Sequence, residues 1–174
     1  MSETVTDVII DAPAERVWQA LTDFSAYPEW NPLIRHVSGD LEDHARLTVT
    51  LAGADGSEHT SHPTVVRYRP GREIRWRDRP ALPGIMDTET TFKVEPLGPE
   101  QVRFVHWHAT SGLLAPFLGA RDDAGLRGRL EAMNVALKGR AERAPAAAAG
   151  RHAEREAAQA SAGSGALAVG SASV

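Results

Sequence analysis

Between residues 33 and 108 the chain passes through a series of short strand-like segments separated by turn residues, and one long amphipathic segment follows them. That order limits the possible folds more than any other feature. Over residues 46–52, Leu47, Val49 and Leu51 alternate with Thr48 and Thr50, the period of a half-buried strand. Ile74 and Trp76 alternate with Arg75 and Arg77 over residues 72–79. Thr90, Phe92 and Val94 alternate with Glu89, Lys93 and Glu95 over residues 88–94. Val102, Phe104, His106 and His108 share one face over residues 102–108. Residues 33–37 and 60–69 read as two further strands, the second interrupted near its start by Pro63. Pro70-Gly71 is a type II turn signal: Pro presets one dihedral and Gly accepts a positive φ. Connections this short cannot carry crossovers, so the strands are expected to form an antiparallel meander.

The flanking segments complete an α+β pattern. Residues 4–10 are rich in β-branched side chains and read as a strand. Asp11-Ala12-Pro13-Ala14-Glu15 reads as a helix start, with Asp11 as the cap and Pro13 in the first turn. Val17, Trp18 and Leu21 then recur at helical spacing to about Thr22. The prolines of Tyr27-Pro28-Glu29-Trp30-Asn31-Pro32 are expected to break regular structure. The last element, residues 116–141, carries Leu126, Leu130, Met133 and Leu137 as one apolar stripe. A sheet of this many strands must bury a face, and this helix is the only large apolar surface available to cover it. A twisted sheet against a single helix leaves a gap, and such gaps form small-molecule pockets.

Composition changes at Arg143. Residues 144–174 hold no aromatic and are dominated by Ala, Gly and Ser, so a folded domain over residues 1–143 with a disordered tail over 144–174 is expected. Several functions are excluded by what the 174 residues contain. The absence of cysteine rules out disulfides, cysteine nucleophiles and thiolate metal sites. A net charge of −4 offers no broad basic footprint, so no nucleic acid partner is expected. No apolar run reaches the ~18 residues of a membrane span, so no stable membrane insertion is expected. Glu3 and Asp7 stand where a signal peptide would be basic, which points to the cytoplasm. Phosphate-cradling glycine loops and a Gly-x-Ser-x-Gly elbow are missing, and no cofactor is expected.

Several segments together resemble the SRPBCC superfamily, which groups START-like, polyketide cyclase/dehydrase-like and birch-pollen-allergen-like proteins. They are Asp11-Ala12-Pro13-Ala14-Glu15-Arg16-Val17-Trp18, Leu21-Thr22-Asp23-Phe24 and Tyr27-Pro28-Glu29-Trp30-Asn31-Pro32. Pro70-Gly71-Arg72-Glu73-Ile74-Arg75-Trp76, Phe92-Lys93-Val94-Glu95-Pro96-Leu97-Gly98 and Ser111-Gly112-Leu113-Leu114 agree with them. The resemblance implies a helix-grip fold: a seven-stranded antiparallel curved sheet around a long C-terminal helix, with one or two short helices after the first strand and a hydrophobic cavity between sheet and helix. Members bind lipids, sterols, polyketides or aromatic hormones; some catalyse aldol cyclisation and dehydration, and some are co-chaperones. Many relatives carry Gly where His44 stands and Glu where His108 aligns.

The candidate functional residues follow from this picture. His106 and His108, two apart on a strand, project to the same face as Phe104. They read either as an acid/base pair acting on a carbonyl substrate or as hydrogen-bonded polar lining. A metal site would combine them with His59 or His62, but those two lie at odd spacing beside Pro63, away from the pair, and no Asp or Glu is placed to complete a triad, so no metal is expected. Trp18 reads as core, while Trp30 and Trp76 read as cavity floor. Trp107 alternates to the outer face, where it marks either a homodimer contact or a lone surface aromatic. Arg72, Arg75, Arg77 and Arg79 read either as an anion clamp or as a solvated face paired with neighbours such as Glu89. The expected ligand-lining residues are Trp30, Val49, Leu51, Trp76, Thr90, Phe92, Phe104, His106, His108, Leu130, Met133 and Leu137, with Phe117 and Leu114 over the entrance by analogy with the family. The function expected is binding of a small hydrophobic or aromatic molecule. A cyclase/dehydratase using the pocket histidines, or a co-chaperone-like interaction module, are the alternatives.

Overall fold

A computed structural model describes residues 2–53, 55–79, 84–113 and 123–143. The chain divides into two units, Met1–Glu142 and Arg143–Val174. The expected tail, the first residues of the last helix, and the entrance residues Leu114 and Phe117 lie outside the described residues.

The first unit runs β1 (Ser2–Ile10), α1 (Ala14–Thr22), a 3-10 turn (Phe24–Ala26), α2 (Tyr27–Trp30), β2 (Ile34–Ser38), β3 (Thr48–Ala52), β4 (Glu58–Ser61), β5 (Thr64–Arg69), β6 (Glu73–Asp78), β7 (Asp87–Gly98), β8 (Gln101–Ser111) and the long helix α3, Asp123–Arg143. Five strands form one sheet in the order β1-β8-β7-β6-β5, and three form a second in the order β2-β3-β4. Every pairing is antiparallel. The architecture is the α+β meander with a closing helix that the sequence predicts, with eight described strands in two sheets instead of seven in one.

Pro63 explains the difference. Residues 60–69, read as one interrupted strand, are the end of β4 and the whole of β5, and the two belong to different sheets. Proline has no N–H for a ladder, so pairing stops there and the chain changes partner. Its carbonyl still accepts from the Leu47 N–H at 2.9 Å, and Val65 N–H donates to Ala45 at 2.8 Å. These bonds stitch the segment before β3 to the start of β5.

Two local expectations are also corrected. Asp11 does not cap α1: Pro13 occupies the cap position, without a side-chain hydrogen bond. The Asp11 carboxylate instead accepts from Gln101 Nε2 at 2.7 Å, and its N–H donates to Glu142 Oε1 at 2.8 Å. Tyr27–Trp30 forms a helical turn where a break was expected. Pro28 sits in the first turn, where an N–H has no intrahelical partner to lose. Asn31 then ends it, its side-chain oxygen accepting from the N–H groups of Leu33 (3.0 Å) and Ile34 (2.8 Å).

Helix α3 buries Leu130, Met133, Leu137 and Ala141. It is tied to β1, an edge strand whose outward carbonyls would otherwise lack partners. Lys138 Nζ donates to the Ile9 carbonyl at 2.7 Å and Arg127 to the Val5 carbonyl at 3.0 Å. Asn134 Nδ2, fully buried, donates to Thr6 Oγ1 at 2.9 Å.

Candidate cavity between sheet and helix

The register of the larger sheet lines up the inward side chains of β1, β8 and β7 in rows. One end holds Ile10 beside Val102, then Val8 beside Phe104 and Val94. Next comes Thr6 beside His106 and Phe92. The far end holds Thr4 beside His108 and Thr90, then Ser2 beside Thr110 and Thr88. All three strands therefore change together, from large apolar groups through an imidazole row to small hydroxyl groups. Where the side chains shrink, sheet and helix no longer meet.

The space left is a cavity of about 430 Å³. Its oily wall includes Leu33, Ile34, Val49, Leu51, Trp76, Leu126 and Leu130. Its polar wall is built from the hydroxyls of Ser2, Thr4, Thr88, Thr90 and Thr110 with the rings of His106 and His108. His59, Ser61, Asp78 and Arg129 also contribute.

Seven of the expected lining residues meet at this cavity: Val49, Leu51, Trp76, Thr90, His106, His108 and Leu130. Phe92, Phe104, Met133 and Leu137 are packed into the core instead. Phe92 forms a closed aromatic floor, its ring centroid 5.0 Å from Trp76, 4.6 Å from His106 and 6.2 Å from Phe104. Trp30 also lies away from the cavity wall, edge-on to Tyr27 at 5.0 Å. His59 reaches the cavity although the sequence places it apart from the other pair, because the β3–β4 pairing sets it opposite Leu51. His62 lies beside Thr48 Oγ1 at 3.3 Å. Among the described residues no cluster of three or more His, Cys, Asp or Glu is arranged to hold a metal ion. The hydroxyl wall was missed because an isolated Thr in a strand is unremarkable; its signal, Ser2, Thr4, Thr88 and Thr110 in register, exists only after pairing.

His106 and His108 are uncharged at neutral pH. His106 is 1% exposed, and burial, reinforced by His108, lowers its pKa to about 3 against the opposing effect of Asn134. Burial likewise lowers the pKa of His108, with the positive charge of Arg129 the second cause. His108 Nδ1 lies 3.1 Å from Thr90 Oγ1, which holds its ring. A neutral imidazole carries one N–H donor and one acceptor nitrogen, so the pair can meet a carbonyl or hydroxyl without supplying a charge.

Three of the four arginines of the run, Arg75, Arg77 and Arg79, form a paired face of the sheet. Arg75 and Arg77 reach Glu89 at 3.4 and 2.6 Å, and Arg79 reaches Asp87 at 3.2 Å. Trp107 lies on the opposite face from His106 and donates its indole N–H to Glu3.

The fold agrees with what the chain matches. The family model described as polyketide cyclase / dehydrase and lipid transport covers residues 1–142. The chain belongs to that family. Its helix-grip fold is shared with a START superfamily protein from Mycobacterium smegmatis, at 24% identity and TM-score 0.62 over 80% of this chain and 97% of that one. The Zhui aromatase/cyclase from Streptomyces sp. R1128 is similar at 21% identity and TM-score 0.61, over 82% of this chain and 94% of that one. The di-domain ARO/CYC BexL from the BE-7585A biosynthetic pathway is similar at 19% identity and TM-score 0.62 over 79% of this chain; the match spans 47% of the BexL chain, about half its length. No curated protein matches. Among the described residues no helix is long and apolar enough to cross a membrane.

Proposed function

We propose that this polyketide cyclase/dehydrase-family chain is a cytoplasmic binder of a small hydrophobic or aromatic molecule bearing oxygens along one edge. The observation that carries this reading is the two-sided cavity: about 430 Å³, oily on the Val49, Leu51 and Leu130 side and lined by hydroxyls and neutral imidazoles on the other. An all-apolar guest would leave the buried Nδ1 of His106 without a partner, and a fully polar one would waste the oily wall. A polarity-sensitive dye should enter the folded protein and be displaced by flat aromatic ketones in preference to saturated hydrocarbons of equal size. Leu51→Trp, which adds bulk at the oily wall, should weaken dye uptake at least tenfold with the fold retained. A folded protein that takes up no dye would remove the proposal.

The two neutral histidines support a second reading, a cyclase or dehydratase step in the same cavity. When His108 Nδ1–H donates to Thr90, its other nitrogen is left as a base for a proton on carbon next to a carbonyl. The N–H of His106 would then donate to the oxygen that gains charge. The double variant His106→Gln with His108→Gln should abolish turnover while ligand affinity falls little. Unchanged turnover of a β-polyketone would retire the catalytic reading and leave the binding one.

A further inference from the structure

A second depression, of about 330 Å³, lies on the outer face of the five-stranded sheet, opposite the cavity. It is lined by Val5, Arg75, Thr91, Lys93, Val105 and Trp107. The register explains this grouping: Arg75, Thr91, Trp107 and Val5 occupy directly opposed positions on β6, β7, β8 and β1. Lys93 and Val105 form the neighbouring pair.

Three observations set this place apart from the rest of the paired outer face. Thr91 is only 1% exposed, yet its hydroxyl has no hydrogen-bond partner. Arg75 directs its terminal nitrogens to Glu73 and Glu89, leaving its buried Nε–H without a partner. Lys93 makes no ion pair among the described residues, although Glu73 stands opposite it on β6. Buried donors with nothing to bond are costly unless a ligand or water completes them. Here all three are donors, and beside them lies an apolar surface made by the Trp107 ring, Val105 and Val5, the last 41% exposed.

We propose that this depression is a second binding site, for a small carboxylate with a flat apolar body. The carboxylate oxygens would accept from Thr91 Oγ, Arg75 Nε and Lys93 Nζ, and the body would rest against Trp107 between Val5 and Val105. The site is independent of the inner cavity, because the side chains that line it leave the opposite face of the same strands.

Phenylacetate and its uncharged analogue phenylacetamide test the proposal, read by nuclear magnetic resonance on isotope-labelled full-length protein. Phenylacetate should shift the Trp107 indole N–H and the Thr91 amide saturably, with the indole signal assigned by its loss in Trp107→Phe. Phenylacetamide at equal concentration should leave both in place. Lys93→Gln and the near-isosteric Thr91→Val should each weaken phenylacetate about tenfold, the size of one hydrogen bond to a charged group. The cavity dye should stay bound throughout. Equal responses to acid and amide, unchanged affinity in both variants, or dye displacement without movement of Trp107 would each overturn the site. Failure here leaves the inner-cavity reading intact, since that rests on dye uptake.

Discussion

The two ends of the grip are made from the same strands and the same helix, and they behave in opposite ways. At one end Val94, Val102, Phe104, Met133, Leu137 and Ala141 meet with almost no exposure. At the other, Ser2, Thr4, Thr88, Thr90 and Thr110 face a hollow. The first end supplies the packing that holds sheet and helix together, and the second is held open because the first does not need its help. Stability and binding are thus divided along the length of β1, β7 and β8, with the imidazole of His106 at the border.

The largest effect expected from this division is at the packed end. Phe104→Ala should cost about 3–5 kcal/mol in urea unfolding, as truncation of a fully buried aromatic does. Thr110→Ala, at the open end of the same strand, should cost less than about 1 kcal/mol. Similar losses for the two would erase the contrast.

Next in size is a pH effect at the border. The folded-state pKa of His106 lies at about 3, below that of an unfolded chain. The unfolded state therefore binds the extra proton first, and this contribution is complete above the unfolded value of roughly 6.5. As pH falls from there toward 3 it is lost, at up to about 1.4 kcal/mol per unit. The lowered pKa of His108 acts in the same direction. His106→Gln should flatten the decline in unfolding free energy across that window. A variant as acid-sensitive as the parent would place the proton elsewhere.

The smallest effect belongs to the turn before β3. His44 adopts a φ of +72°, a conformation that strains a residue bearing a side chain. His44→Gly should raise stability by about 1 kcal/mol and leave dye binding unchanged. A loss of stability would mean that the imidazole makes up for its backbone.

Much of the fold was readable from periodicity. The alternation around Ile74 and Trp76, and around Phe92 and Val94, set which face of each strand turned inward, since a strand's side chains alternate by geometry. Gly71 stands at φ +74°, as the turn it punctuates requires. Pro63 was visible as an interruption, but whether it bent one strand or separated two depended on which neighbours were free to pair. The site was less legible. His106, His108 and Trp76 could be picked out because large or titratable groups on an inward face are few. Phe104 and Phe92 sit on that same face and belong to the floor, a distinction carried by position along the strand and not by residue type.

By itself the sequence determined the antiparallel order, the closing helix and the inward face of each strand, because those follow from local spacing and short connections. Only the tertiary structure decided where the interior is solid and where it is hollow. A void depends on how the sizes of side chains from distant segments add across a row. Thr4, Thr90 and His108 become one wall solely through the register that sets them side by side.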